Sequence, residues 1–175
     1  ASTGVTINTT QTSGAGGAVS ITAGGALALG NINTSGTTSG AGGDVTLVTT
    51  ASGITTASST TINTSGAGAS NNAGTVIMRS NNTAVALSGS ITATPGAGGT
   101  GVVSLGTGTG ANSVGAVSQP AGAITGATTL NVNSDGGGVS LNRSTNDVVN
   151  LGTVVTTGGA FTYVDTNGVD ESAGS

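Results

Sequence analysis

The sequence predicts an all-β protein, specifically a right-handed parallel β-helix (a β-solenoid) with three strands per coil and about five to six coils. Two observations carry this prediction. Short runs that alternate apolar and small polar residues recur along the whole chain, as strands with one buried face do. These runs also return in a fixed order, separated by segments of Gly, Ala, Ser and Thr, which is typical of coils that stack on one another.

The first recurring element is a glycine followed by a strand of the form Val-x-aliphatic. The sequence is interpreted as one domain over residues 1–175, with coils that start near Gly17, Gly43, Gly74, Gly101 and Gly138. The valines of these strands are predicted to form one inward ladder: Val19, Val45, Val76, Val103 and Val139. The last interval is the longest, so an insertion is expected at residues 118–126, where Pro120 should leave the strand pairing.

The second element is a strand that ends in Asn-Thr-Ser-Gly, at residues 32–36 and 62–66. With looser copies it predicts another inward ladder, formed by Ile32, Ile62, Ile91 and Val132. Asn33 and Asn63 recur at one position, which favours a stacked amide ladder at a corner. Both also lie in Asn-x-Ser/Thr sequons, so glycan attachment is the alternative.

A third strand lies between the first two elements. Its copies are Leu27 and Leu29, Ile54, Val85 and Leu87, Val114 and Val117, and Val149 and Leu151. No segment has the period of an amphipathic helix, and Gly and Thr disfavour helices. A disordered chain would combine low hydrophobicity with high charge, whereas here the mean hydropathy is +0.23 and 5% of residues are charged.

Composition excludes several kinds of chemistry. The chain has no Cys and no His, so a thiol nucleophile, an imidazole base and an ordinary zinc site are excluded. Two cations and a net charge of −4 argue against nucleic-acid binding, and no apolar run reaches the roughly 20 residues of a membrane span. We therefore predict neither an enzyme nor a cofactor.

The acidic residues do not recur with the coils. Asp135, Asp147 and Asp165 do not recur at one coil's spacing, so they do not form the paired carboxylates of a glycosidase. Near the C-terminus, an acidic solvated segment is the preferred interpretation. The weaker alternative is one Ca²⁺ held by oxygen ligands from Asp165, Asn167, Asp170 and Glu171.

The repeated units resemble those of a known family of large bacterial surface proteins. Residues 26–30, 31–36 and 42–47 are similar to the repeats of filamentous-haemagglutinin-type proteins, and residues 150–153 and 161–168 resemble their looser repeats. The resemblance covers nearly the whole chain. It implies a β-helical shaft that is secreted or displayed on the cell surface, and that builds a structural filament. The alternative it implies is an adhesin shaft that binds a host surface or a glycan. The chain is expected to be a mature subunit or a stretch of a longer shaft.

The ends of the chain predict self-association, with a second copy as the partner. A solenoid leaves unpaired N–H and C=O groups on its end coils unless a cap covers them. Val5 and Ile7 already read as a repeat strand near the N-terminus, whereas Phe161 and Tyr163 supply bulky side chains near the other end. We therefore expect copies to stack head to tail.

A regular face of threonines would instead suggest an ice-binding solenoid. Thr34 and Thr64 agree in position, but the corresponding residues in later copies change to Thr94 and Ser134. This function is a remote alternative.

Overall fold

The protein is all-β, as predicted. The computed structural model describes residues 6–171 of the 175-residue chain, with only the backbone of residues 170 and 171. Strands make up 42% of it and helix 2%. The strands form an 11-stranded and a six-stranded sheet, curled into a half-barrel, and each pairing between named strands is parallel. Among the described residues, no helix is long and apolar enough to cross a membrane.

The strands are short and occur throughout the described chain. In order they are β1 (Ile7–Asn8), β2 (Val19–Ala23), β3 (Leu27–Leu29), β4 (Ile32–Asn33), β5 (Val45–Thr49), β6 (Ile54–Thr56), β7 (Thr61–Asn63), β8 (Val76–Arg79), β9 (Val85–Leu87), β10 (Ser90–Thr92), β11 (Val102–Leu105), β12 (Val117–Ser118), β13 (Ile124–Ser134), β14 (Val139–Leu141), β15 (Asp147–Thr156), β16 (Phe161–Tyr163) and β17 (Asp170–Glu171). A single 3₁₀ turn, Gly110–Asn112, lies between β11 and β12.

One half of the larger sheet, here called the valine row, contains β2, β5, β8, β11 and the later parts of β13 and β15. Its register aligns, in order, Val19, Val45, Val76, Val103, Leu130 and Leu151. Val139 is not a member, because it pairs with Val117 and Phe161 in the other sheet. The predicted place of Val139 in this ladder is therefore wrong, as is the coil start at Gly138. The same Gly-Val-x-Leu pattern serves strands of both sheets.

The other half, the isoleucine row, contains β1, β4, β7, β10 and the first residues of β13 and β15. Its register aligns Ile7, Ile32, Ile62, Ile91 and Ile124. Val132 was predicted here but pairs with Leu105 and Val154 in the valine row, so that assignment is wrong. β13 is one long strand that contributes to both rows, with a register shift between Thr125 and Ala127. No loop in the sequence marks the passage from one row to the next.

The six-stranded sheet contains β3, β6, β9, β12, β14 and β16. Its register aligns Leu27, Ile54, Val85, Val117, Val139 and Phe161. Three residues predicted for this strand lie elsewhere. Val114 makes an isolated bridge to Ser134, Leu151 belongs to the valine row, and Val149 is an exposed residue of β15.

The extra chain length precedes the predicted insertion. Seven residues separate Val117 from Ile124. The equivalent separations earlier in the chain are eight residues from Ile54 to Ile62 and six residues from Val85 to Ile91. By contrast, twelve residues separate Leu105 from Val117, where only seven separate Met78 from Val85. We call residues 106–116 the insertion loop. The next step is shorter by a similar amount, since six residues separate Ile124 from Leu130 where twelve separate Ile91 from Val103, so Leu130 follows Val103 at an ordinary interval of 27 residues. Leu130 was missed because no glycine precedes it, whereas Val139 follows Gly138 and carries the expected motif in the other sheet.

Inward side chains of the valine row, the isoleucine row and the six-stranded sheet form a narrow apolar core. Val76 and Met78 are fully buried, whereas Ile77 between them faces outward and is half-buried. Towards the ends of the described chain the core is less covered. Its partly buried members there are Ile7, Ile21 and Leu27 at one end, and Leu151, Phe161 and Tyr163 at the other.

Candidate functional site

The corner between the isoleucine and valine rows is closed by a threonine and a glycine that bond to each other. The Thr34 hydroxyl donates to the Gly43 carbonyl (2.6 Å), and the Gly43 N–H donates to the Thr34 carbonyl (2.7 Å). Thr64 and Gly74 repeat the pair at 2.8 and 2.7 Å. Both threonines are fully buried. Both threonines therefore stabilise the corner and cannot belong to an ice-binding face. Their burial, rather than the change of residue in later copies, is what argues against the ice-binding alternative.

The glycines at this corner have no room for a side chain. A Cβ on Gly43 would lie 2.4 Å from the Gly17 carbonyl oxygen, and a Cβ on Gly74 would lie 2.0 Å from that of Gly43. The neighbouring backbone occupies the space in each case. This close approach explains why a glycine precedes the early strands of the valine row.

The recurring asparagines stabilise their own turns. Asn33 and Asn63 are in register, and so is Asn8. The side-chain oxygens of Asn33 and Asn63 accept the N–H two residues along, from Ser35 (3.3 Å) and Ser65 (3.1 Å). Within residues 6–171 no hydrogen bond joins one of these three amides to another. The asparagines therefore lie one above the other in register, and each also caps the turn that follows it.

Asp165 accepts hydrogen bonds on both of its carboxylate oxygens. Oδ2 accepts the Val148 N–H (3.0 Å) and the Tyr163 hydroxyl (2.7 Å), and Oδ1 accepts the Asn167 N–H (2.9 Å). Partial burial raises the pKa of Asp165, but these hydrogen bonds outweigh it and hold the pKa below its usual value. Burial, reinforced by the bond to Asp165, raises the pKa of Tyr163 well above its usual value.

These contacts bear on the calcium alternative. Asp165 faces N–H and O–H donors, whereas a cation needs free oxygen ligands. The side chains of Asp170 and Glu171 lie outside what the structure describes. In the described part of the chain, no group of three or more acidic residues is placed to hold a metal ion.

The end strands of the described chain each have one free edge. β1 pairs only with β4, β2 only with β5 and β3 only with β6, whereas at the other end β16 pairs only with β14. Three residues predicted to mediate self-association, Ile7, Phe161 and Tyr163, lie in these end strands and are partly buried against the core. The fourth, Val5, lies outside the described residues.

The insertion loop is fixed by polar contacts to strands on both sides. Arg79 donates from Nη1 to Oδ1 of Asn112 (3.0 Å), and the Gly110 N–H donates to Oδ2 of Asp135 (3.1 Å). The Thr157 hydroxyl donates to Oδ1 of the same aspartate (2.8 Å). The bonds from Gly110 and Thr157 lower the pKa of Asp135. The loop therefore connects residues that are far apart in the sequence.

A polar groove lies beside the insertion loop on the outer face of the valine row. It has a volume of about 280 Å³ and is lined by Ser104, Gly106, Thr107, Asn131, Val132, Asn133 and Thr153. None of these side chains is charged. The side-chain oxygen of Asn133 is buried without a hydrogen-bond partner among the described residues. Sequence reasoning missed this groove because its residues come from three strands and the loop.

No family model, no curated protein and no solved structure matches this chain.

Proposed function

We propose that the protein is a structural three-stranded β-solenoid whose copies stack head to tail into an extracellular filament. The observation that carries this proposal is the partly covered apolar core at both ends of the described chain, next to strands with one free edge. The similarity to surface-protein repeats supports the extracellular location.

The order in which the chain visits its rows supports three strands per coil. Val117 lies in the six-stranded sheet, Ile124 in the isoleucine row and Leu130 in the valine row, and Val139 is back in the six-stranded sheet beside Val117. Parallel strands joined by crossovers are almost always right-handed, which supports that hand. The six strands of the smaller sheet correspond to six coils.

Stacking would continue each row across the junction between copies. On the six-stranded sheet, Phe161 of one copy would take the place beside Leu27 of the next, at the spacing of about 4.8 Å between paired strands. The two ends differ, so the contact does not close on itself and generates an open filament.

The magnitudes favour association by a modest margin. Each new edge hydrogen bond contributes about 0.5–1.5 kcal/mol, and association costs an estimated 4–15 kcal/mol. The hydrogen bonds of three short strands therefore roughly offset the cost. Burial of the partly exposed end side chains, at about 25 cal/mol per Å², then decides the outcome in favour of stacking.

A backbone substitution at the free edge tests the proposal. In β2 the Val19 N–H donates to the carbonyl of Asp44, the residue just before β5, so the N–H of the exposed Ser20 faces the free edge. Ser20→Pro removes that donor without touching an internal pairing, and proline is tolerated on edge strands.

We expect the unaltered protein to form filaments with strands perpendicular to the long axis, seen by electron microscopy and by light scattering at rising concentration. Ser20→Pro should stay monomeric with an unchanged circular dichroism spectrum, and Ser20→Ala should assemble normally. An unaltered protein that stays monomeric at high concentration contradicts the proposal. So does a Ser20→Pro variant that assembles as well as Ser20→Ala.

A further inference from the structure

The loop between β16 and β17 contains the only Asn-Gly step of the chain, formed by Asn167 and Gly168. Asparagine is a chemically labile residue, most of all before glycine, which has no side chain to keep its backbone nitrogen away from the preceding amide group. Both residues are exposed. Gly168 has a φ of +87°, and a Cβ there would meet nothing within 4 Å. No packed neighbour therefore has to move before the two groups can meet.

The side chain of Asn167 is held loosely. Among the described residues its amide makes one hydrogen bond, from Nδ2 to Oδ1 of Asp147, which is long at 3.4 Å. The exposed Asn112, also followed by a small residue, is a useful contrast. Its Oδ1 accepts a bond of 3.0 Å from Arg79, and the following Ser113 is buried with its N–H bonded inside the insertion loop. Asn167 is thus the freer of the two amides.

The carboxylate of Asp165 restrains the backbone of the same loop. Its Oδ1 accepts the Asn167 N–H at 2.9 Å, and the N–H of Gly168 is hydrogen-bonded to the same carboxyl group. The Gly168 nitrogen has to lose its proton in order to attack a carbonyl carbon. A nitrogen that becomes negative beside a carboxylate is disfavoured by like-charge repulsion. Asp165 therefore opposes the reaction that the Asn-Gly step favours.

We propose that Asn167 is a site of spontaneous deamidation and that the hydrogen bonds from the loop to Asp165 set its rate. In the first step the Gly168 nitrogen forms a bond to Cγ of Asn167 and gives its proton to water, while Nδ2 takes up a proton and leaves as ammonia. The resulting succinimide is then opened by water at either carbonyl, which leaves aspartate or isoaspartate. One water is consumed and one ammonia is released, so no oxidant or other reactant is required.

The product carries one more negative charge than the parent chain. The new carboxylate lies beside Asp147 and Asp165, and repulsion among the three loosens the last pass of the chain. This modification is independent of the proposed filament, because it requires no second copy.

The test incubates the full chain in mildly alkaline buffer, separates the products by anion exchange and locates them by peptide mapping with mass spectrometry. Asp165→Asn removes the carboxylate that faces the Gly168 N–H. Tyr163→Phe is the matched control, because it removes one hydrogen bond to Asp165 but leaves that carboxylate in the loop. Asn167→Gln keeps an amide but lengthens the side chain, so the five-membered ring cannot form.

We expect Asn167 to deamidate before every other asparagine of the unaltered protein, Asn112 included, and Asn167→Gln to lose this product. Asp165→Asn should react at least about threefold faster, since it removes a hydrogen bond to a charged group, whereas Tyr163→Phe should keep the parent rate. If Asp165→Asn does not fold, the unaltered chain in urea replaces it and should react faster than the folded protein. The proposal is overturned if another asparagine reacts first. It is also overturned if Asp165→Asn, or the chain in urea, reacts no faster than the folded unaltered protein.

Discussion

The side-chain amides of Gln119 and Asn146 bond to each other reciprocally inside the molecule. Nε2 of Gln119 donates to Oδ1 of Asn146 (2.7 Å), and Nδ2 of Asn146 donates back to Oε1 of Gln119 (3.0 Å). Asn146 also accepts the Ile124 N–H and donates to the carbonyls of Leu141 and Val164. Gln119 is 4% exposed and Asn146 is fully buried. The pair connects three successive passes of the chain.

This hydrogen-bond network predicts that substituting Asn146 lowers the free energy of unfolding more than substituting Gln119. Asn146→Leu leaves several buried groups without partners, each costing about 1–3 kcal/mol, so the free energy of unfolding should fall by roughly 3–5 kcal/mol. Gln119→Met removes one bond from each amide group of Asn146, but these groups keep their bonds to Ile124, Leu141 and Val164, so it should cost about half as much. Urea unfolding measures both, with Asn142→Leu as an exposed control. Equal costs for the two variants would contradict this assignment.

A charge in the core should be far more damaging than the same charge one residue away. Val76→Asp places an unpaired carboxylate among fully buried side chains, which costs several kcal/mol. Ile77→Asp puts it on the outward side of the same strand and should cost little. Thermal melting followed by circular dichroism compares them. A Val76→Asp variant that melts like Ile77→Asp would mean that the register of β8 is wrong.

The closely packed glycines predict a second pair of contrasting variants. Gly74→Ala would place its Cβ 2.0 Å from a carbonyl oxygen, so the backbone must shift and stability should fall by more than about 2 kcal/mol. Gly24→Ala meets nothing within 4 Å and should be neutral or slightly stabilising. Chemical denaturation gives both values. Tolerance of Gly74→Ala would show that adjacent strands are not this close.

Stability should change at alkaline pH through the chain's single tyrosine. The folded protein raises the pKa of Tyr163. The contribution of Tyr163 to stability is therefore complete below the unfolded pKa of about 10 and is lost as the pH rises above it. Tyr163→Phe should therefore lose less stability than the unaltered protein between neutral and strongly alkaline pH. Melting temperatures across that range provide the comparison, and parallel profiles would refute it.

Acid should weaken the structure through aspartates with lowered pKa. Asp135 and Asp165 are held below their usual pKa, so their contribution is present above about pH 4 and is lost as the pH falls through the folded value. Asp165→Asn should flatten the acid limb of the stability profile relative to the unaltered protein. An acid limb identical to that of the unaltered protein would rule out this role for Asp165.

The sequence was sufficient for the first four passes of the chain and insufficient after them. Val19 to Val103 and Ile32 to Ile91 stack as expected, because similar β-branched residues recur at similar intervals. Leu130 follows Val103 at an ordinary interval of 27 residues but has no glycine before it. The motif at Gly138 and Val139 belongs to the other sheet, so following the motif leads to the wrong strand.

The contacts around the groove could not be derived from the sequence. Arg79 and Asn112 are 33 residues apart, and Gly110 and Asp135 are 25 apart. Such pairs become neighbours only once the register is known, and no local motif encodes them. The Gly-Thr repeats of the loop read as an ordinary corner, because small residues carry little information about what lies beside them.

The insertion loop would recur at a constant axial spacing along an assembled fibre. Each copy carries one such loop, and six strands at about 4.8 Å give an axial repeat of roughly 29 Å. Whatever the insertion loop presents would therefore recur at that interval along the fibre. A multivalent ligand with matching spacing would gain avidity that no single copy offers.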